Sequence, residues 1–244
     1  MIVFAALIPN SPLLVKRGEI VAEKTLAAIS EIERMIEKTN PDTLLIISQH
    51  AKHFDSVFTL PFADKFVESL KRFGFISEHL SYSADAEILS KLQAYSKKSR
   101  LPLRSVHSEL LDNGSGIALR MLGAQKKKYS IVTLGTSDLS IEHHVEFGHE
   151  LKEILHSDAR RIAVIVTGET GNSAIAHGII ASLGNRSVPA LRQVCESATG
   201  EHETLCRPLA IGYGLLRDFP AQTNIVCDEE FGGHSLISGV FFSD

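Results

Sequence analysis

The sequence predicts an α/β fold: a single-domain, mostly parallel central sheet with helices on both faces. Apolar runs of strand length alternate with segments of helical period along its 244 residues, the pattern that builds a sheet with helices packed against it. Two of these runs, Leu44-Leu-Ile-Ile47 and Ile162-Ala-Val-Ile-Val166, are apolar at every position. Strands covered above and below have this composition, so these two are expected at the centre of the sheet.

A first strand is expected at residues 2–7. Residues 21–38 place Leu26, Ile29, Ile32 and Ile36 at spacings of three and four and stop before Asn40-Pro41, which predicts an amphipathic helix with a defined end. A strand at 43–48 follows. Residues 84–98 repeat the helical device with Ile88, Leu89, Leu92 and Tyr95, and residues 142–156 do so with Val145, Leu151, Ile154 and Leu155. A shorter helix is expected at 115–123 and a strand at 130–134. A strand at 161–167 leads to helices at 173–183 and 204–219, and strands at 224–227 and 236–242 close the chain. The last of these is expected either at an edge or across the sheet centre. No fixed-period repeat, low-complexity tract or long linker divides the sequence, so residues 1–244 read as one domain.

Composition removes several function classes. An apolar fraction of 44% with 22% charged residues excludes intrinsic disorder. Twenty-five Lys and Arg against 29 Asp and Glu leave a net charge of −4, so no global positive field gathers nucleic acid or an anionic membrane. The one basic run, Lys126-Lys127-Lys128, reads as a solvated loop. Three cysteines, Cys195, Cys206 and Cys227, are odd in number and lack CxxC spacing, which argues against a disulfide framework and against a thiolate zinc site. A reducing cytoplasm is the expected compartment. The opening residues lack a cationic region and reach Pro9 after a short apolar run, so neither export nor a membrane span is expected.

In an open α/β sheet, ligands bind beyond the carboxyl ends of the strands. Pro9-Asn10-Ser11-Pro12 follows the first strand and Gln49-His50-Ala51-Lys52-His53 the second. Leu111-Asp112-Asn113-Gly114 precedes a helix, Thr167-Gly168-Glu169-Thr170-Gly171-Asn172 follows a central strand, and Glu201-His202-Glu203 precedes the helix that begins near Arg207-Pro208. One imidazole, two carboxylates and three asparagines thus occupy positions that a rigid sheet could bring together in a polar pocket.

The order of these motifs resembles the class III extradiol ring-cleaving dioxygenases, the LigB-like superfamily, which includes the dioxygenase-like part of the AmmeMemoRadiSam proteins and is related to the Memo proteins. Pro9-Asn10-Ser11-Pro12-Leu13 is similar to the family's Pro-His-Pro-Pro-Leu, Ile47-Ser48-Gln49-His50-Ala51 to Ile-Ser-Pro-His-Gly, and Leu111-Asp112-Asn113-Gly114 to Leu-Asp-His-Gly. Residues 167–172 resemble Ser-Gly-Asp-Leu-Ser-His, and Glu203-Thr-Leu-Cys206-Arg207-Pro208 resembles Glu-Cys-Gly-x-Arg-Pro. The resemblance implies a LigB-like, phosphorylase-like architecture, a non-haem metal-dependent oxygenase acting on a catechol-like aromatic, and self-association.

It also implies a metal set of Asn10, His50 and Glu203. Such enzymes hold Fe(II) by two histidines and one carboxylate, leaving positions for catecholate and O₂. Here asparagine replaces one histidine, and its neutral amide oxygen suits Mg²⁺, Ca²⁺ or Mn²⁺ better than iron. The cofactor is then Fe(II), another divalent metal, or none. Asn172 stands where the family has its proton-transferring histidine, and Asn113 where it has a substrate-contacting one. An amide hydrogen-bonds but does not titrate usefully, so the three asparagines point to altered or lost ring cleavage. Asp112 and His53 are the expected substrate contacts.

Several residues admit blander roles. His53 is either a substitute imidazole or a solvated loop residue, Glu203 could cap the following helix, and Glu201 rivals it as the carboxylate. Asn113 and Asn172 beside glycines could serve as turn residues, and Cys206 reads as a small buried side chain. His143, His144 and His149 read as surface residues of a helix. No GxGxxG or GxxxxGK[ST] supports nucleotide binding, and Ser137 and Ser140 lack a nucleophile elbow. The rival to an active oxygenase is a non-catalytic paralogue that keeps the fold as a small-molecule or protein-binding module.

Overall fold

The computed structural model describes residues 1–15, 22–75, 79–99, 101–156, 158–198, 204–220 and 223–243. Along them the chain forms β1 (Ile2–Pro9), α1 (Glu23–Thr39), β2 (Thr43–Ser48), β3 (Phe58–Phe62), β4 (Lys65–Val67), β5 (Ser81–Ser83), α2 (Ala86–Lys98), β6 (Leu103–His107), α3 (Asn113–Met121), β7 (Ser130–Gly135), α4 (Ile141–His156), β8 (Ile162–Gly168), α5 (Ser173–Leu183), α6 (Val188–Ser197), α7 (Cys206–Leu215), β9 (Asn224–Phe231) and β10 (His234–Ser243).

The main sheet has the order β6-β3-β7-β2-β8-β1-β10-β9, and β4 pairs with β5 in a separate ribbon. β7, β2, β8 and β1 run parallel, while β10 and β9 continue the sheet antiparallel. β2 and β8 lie at the centre, as their composition predicts. Every residue of β1, β2 and β8 is buried. Because successive side chains point to opposite faces, unbroken burial means that both faces are covered. The core runs through these strands and the inner faces of α1, α4 and α7. Among the described residues no helix is long and apolar enough to cross a membrane.

Register sets up the site. Ser48 lies level with Gly135 and Thr167, and Pro9 lies level with Gly168. Four neighbouring parallel strands therefore end together, which leaves a crevice beyond their carboxyl ends.

Three expectations are corrected. Cys195, near the end of α6, is bonded to Cys206, the first residue of α7, with Cα atoms 5.9 Å apart. The odd count and the spacing missed this pair because tertiary packing, not sequence proximity, brings the two helix ends together; only Cys227 is free, and it is buried. His144 is fully buried rather than on the surface. Its Nδ1 donates to the Ser140 carbonyl at 2.8 Å, and its ring meets Phe58 edge-on at 4.9 Å. The last strand, β10, is neither central nor at an edge, since it lies between β1 and β9.

Candidate functional site

The first turn of α3 gathers the pocket. Asp112 caps this helix: its Oδ1 accepts from the Ser115 amide at 2.9 Å and from Ser48 Oγ at 2.8 Å, and its Oδ2 accepts from Ser115 Oγ at 2.6 Å. Asparagine and aspartate favour such positions because their short side chains satisfy helix-start amides that have no partner within the helix. Ser48 Oγ also accepts from the His50 amide at 3.2 Å. The end of β2 is thereby tied to the start of α3.

Gly114 shows how tightly these pieces meet. A Cβ built there would lie 2.5 Å from Asn10 Nδ2, 2.5 Å from Ser48 Oγ and 2.8 Å from His50 Cδ2. Side chains from the ends of β1 and β2 therefore converge on one point at the helix start. Asn10 is 2% exposed there, while the His50 ring is exposed. Asn113, next to Gly114, turns its amide oxygen to Arg72 and accepts from Nε at 3.1 Å and from Nη2.

The other expected residues stand further out. Asn172 is the N-cap of α5, and its Oδ1 accepts from the Ile175 amide at 3.0 Å. His53 Nε2 pairs with Asp138 at 2.8 Å, and Arg207 Nη1 reaches the same carboxylate at 2.9 Å. The hydrogen bond from His53, with the charge of Arg207, holds the Asp138 carboxyl below the usual carboxylate range. Glu203 and its rival Glu201 lie outside the described residues. Thr204 is fastened to the end of β8: its amide donates to the Glu169 carbonyl at 3.0 Å, and its Oγ1 accepts from the Glu169 amide at 2.9 Å.

A row of buried polar atoms lies along these strand ends; Asn10, Gln49, Thr167 and Glu169 belong to the motifs the sequence singled out, and Thr136 does not. Asn10 Oδ1 and Nδ2, Gln49 Oε1, Thr136 Oγ1, Thr167 Oγ1 and Glu169 Oε1 have no hydrogen-bond partner among the described residues. Each belongs to a residue within one position of the end of β1, β2, β7 or β8. Leaving a buried polar group unpaired costs about 1–3 kcal/mol, and these six atoms face the ends of the parallel strands, where a ligand could pair them. A cavity of about 400 Å³ opens beside it, lined by Gln49, Asp138, Arg192, Arg207 and the Cys195–Cys206 bridge. The signal in the sequence was position: all five residues adjoin strand ends.

An open α/β sheet with polar groups converging beyond its parallel strand ends is the architecture of a small-molecule-binding α/β protein. Within that class the chain belongs to the LigB family: the family model described as the catalytic LigB subunit of aromatic ring-opening dioxygenase matches residues 5–189. The chain is also similar to protein CA_C1420 of Clostridium acetobutylicum, 23% identical over 176 residues. That match covers 67% of this chain and 38% of the relative, so the chain spans well under half the length of the protein it resembles. Its fold is that of the crystal structure of uncharacterized protein JW3007 from Escherichia coli K12, with a TM-score of 0.71, 14% identity, and coverage of 98% of this chain and 99% of that one.

The described donors do not by themselves make up the ligand set of an Fe(II) site. At the Gly114 point the described residues offer one imidazole and one amide, and among the described residues no three His, Cys, Asp or Glu side chains are grouped to hold a metal. Iron sites of this type use two imidazoles and a carboxylate.

Proposed function

We propose that this chain binds a small hydroxylated, catechol-like molecule in the crevice beside Asn10 and His50, without the proton-transfer chemistry of ring opening. The observation that carries this reading is the Asn10 amide, buried with both of its polar atoms unpartnered among the described residues. A cation would satisfy Oδ1 and leave Nδ2 orphaned. A pair of neighbouring hydroxyls supplies both a donor and an acceptor. His50, exposed beside it, adds a second hydrogen-bonding edge.

The loss of ring opening rests on what engages the two asparagines that stand at the family's proton-transferring and substrate-contacting positions. Asn172 spends its oxygen as a helix cap, and Asn113 spends its own on Arg72. Neither amide can accept and pass on a hydroxyl proton near neutral pH. A second reading, a metal-dependent oxygenase acting on the same class of ligand, is favoured by the shared position of His50 and Asn10.

Anaerobic reconstitution with Fe(II), followed by O₂ uptake over a panel of catechols, separates the two. The proposal expects catechol binding with no O₂ consumption above the protein-free rate. Ring cleavage that His50→Ala abolishes would select the oxygenase instead.

A further inference from the structure

The Cys195–Cys206 bridge lies where a reagent can reach it. Cys206 is the first residue of α7 and 2% exposed, whereas Cys195, in the last turn of α6, is only half-buried. Both residues line the cavity of about 400 Å³ that opens beside the strand ends, so a small thiol entering it meets the bond from the Cys195 side. The two sulfurs also differ in how well they bear charge. An anion at the start of a helix is stabilised by the partial positive charge there. α7 runs for 10 residues from Cys206, has no acid in its first turn, and has Leu205, whose side chain carries no polar atom, at its N-cap. Cys195 sits at the opposite, carbonyl end of α6, where negative charge is disfavoured. Exchange therefore has a preferred direction, with attack on Cys195 and departure of Cys206.

The bond also holds a wall of the crevice. Thr204 and Leu205, which lead into Cys206, press on the end of β8: a Cβ built at Gly168 would lie 2.6 Å from the Leu205 Cα and 2.7 Å from the Thr204 carbonyl oxygen. Just beyond the bond, Arg207 reaches Asp138. We propose that Cys195–Cys206 is a thiol–disulfide exchange site, opened in the folded protein by a dithiol reductant through attack at Cys195, and that opening loosens the wall formed by Thr204 and Leu205. In the first step one thiolate of the reagent bonds to Cys195 Sγ as the Sγ–Sγ bond breaks, and the electron pair leaves on Cys206 Sγ. The reagent's second thiolate then attacks its own sulfur in the mixed disulfide and releases Cys195. The bridge gains two electrons, the reagent leaves as its disulfide, and the reagent's two thiol protons end on the two cysteines. With the bond open, the segment loses its covalent tie to α6 and keeps the paired hydrogen bonds between Thr204 and Glu169. Neither step depends on the ligand that the crevice takes.

Thiol chemistry on the full chain in native buffer tests this. After dithiothreitol and then iodoacetamide, peptide mapping is expected to find Cys195 alkylated while Cys227, which is buried, stays unlabelled and so reports that the fold is intact. With the single thiol 2-mercaptoethanol and an acid quench, the mixed disulfide is expected on Cys195 about tenfold more often than on Cys206, because the more exposed sulfur is attacked and the better leaving thiolate departs. In the reduced protein, hydrogen exchange at the Glu169 and Thr204 amides should rise about tenfold while Leu45 and Ile46 in β2 keep their rates. The double variant Cys195→Ser, Cys206→Ser should reproduce that exchange pattern without any reagent. A bond that resists dithiothreitol until Cys227 is labelled too, a mixed disulfide found mainly on Cys206, or unchanged exchange at residues 169 and 204 with the bond open would each overturn the proposal.

Discussion

Gly114 sits so close to Asn10 that a Cβ at position 114 would lie 2.5 Å from the Asn10 amide nitrogen. Real Cβ atoms do not approach a nitrogen so nearly, so this position needs glycine for space and not for backbone freedom. The contact locks the end of β1 to the start of α3, and Ser48 does the same for the end of β2. Three elements distant in sequence thereby present their polar groups to one point.

Gly114→Ala is expected to disturb both stability and binding. The added methyl must push aside Asn10, Ser48 or His50, and overpacking of this kind costs about 1–3 kcal/mol. Urea unfolding reads the first effect. A catechol titration reads the second, where a loss of about tenfold or more is expected because small misplacements of pocket groups are costly.

Acid stability should report His144. Burial pushes its imidazole from the ordinary 6.5 down to about 4, and Arg207, His143 and His53 push in the same direction. The folded ring is neutral and is held by Ser137 and Ser140. Between pH 6.5 and about 4 the unfolded chain binds a proton that the folded chain does not, so stability falls as pH drops through this window and this contribution levels off below it. The full effect is on the order of 3 kcal/mol. Unfolding free energies from pH 7 to pH 4 should show this slope, and His144→Gln should flatten it.

A buried ion pair fastens α3 from its other side. Glu68 is fully buried, and its Oε1 accepts from Arg120 Nε at 2.9 Å and from Nη2 at 2.5 Å, while the Tyr82 hydroxyl reaches Oε2 at 3.4 Å. Arg120→Met should cost about 3–5 kcal/mol in equilibrium unfolding, because it strands a carboxylate without its partner. Glu68→Gln together with Arg120→Met should recover part of that loss.

The parts of the fold that were legible are those governed by local pattern. Strands β1, β2, β7, β8, β9 and β10 and six of the helices lie where period and apolar runs put them. β3 was missed because Pro61 argues against a strand. It is tolerated because β3 touches β7 only at Thr59, so the absent amide of Pro61 is not needed on that side. α6 was missed because only Leu191 is buried in it, although Ser187 as a cap and Pro189 in the first turn announced its start. The burial of His144 was visible in retrospect, since Ile141, His144, Phe147 and Leu151 share one stripe of α4. Of the site, Asn10, His50, Asp112 and Asn113 are brought together around α3. Asn172 and His53 are held elsewhere by local partners. Arg72, which reaches Asn113, was beyond sequence reading, because it arrives from the connection between β4 and β5, which carries no motif.

The Cys195–Cys206 bridge makes a chemical prediction. Peptide mapping without reductant should recover these two residues in one linked fragment, with Cys227 alkylated only after unfolding, since it is buried. Replacing the pair by serine should lower stability by about 2–4 kcal/mol through the freed loop.

The place where a catechol binds is the most direct test of the site. Amide NMR of the ¹⁵N-labelled chain, titrated with catechol, should show shifts concentrated at residues 48–50 and 112–115, and Asn10→Ala should weaken binding about tenfold through the loss of its paired hydrogen bonds. Shifts confined to another part of the molecule, or undiminished affinity in Asn10→Ala, would contradict it.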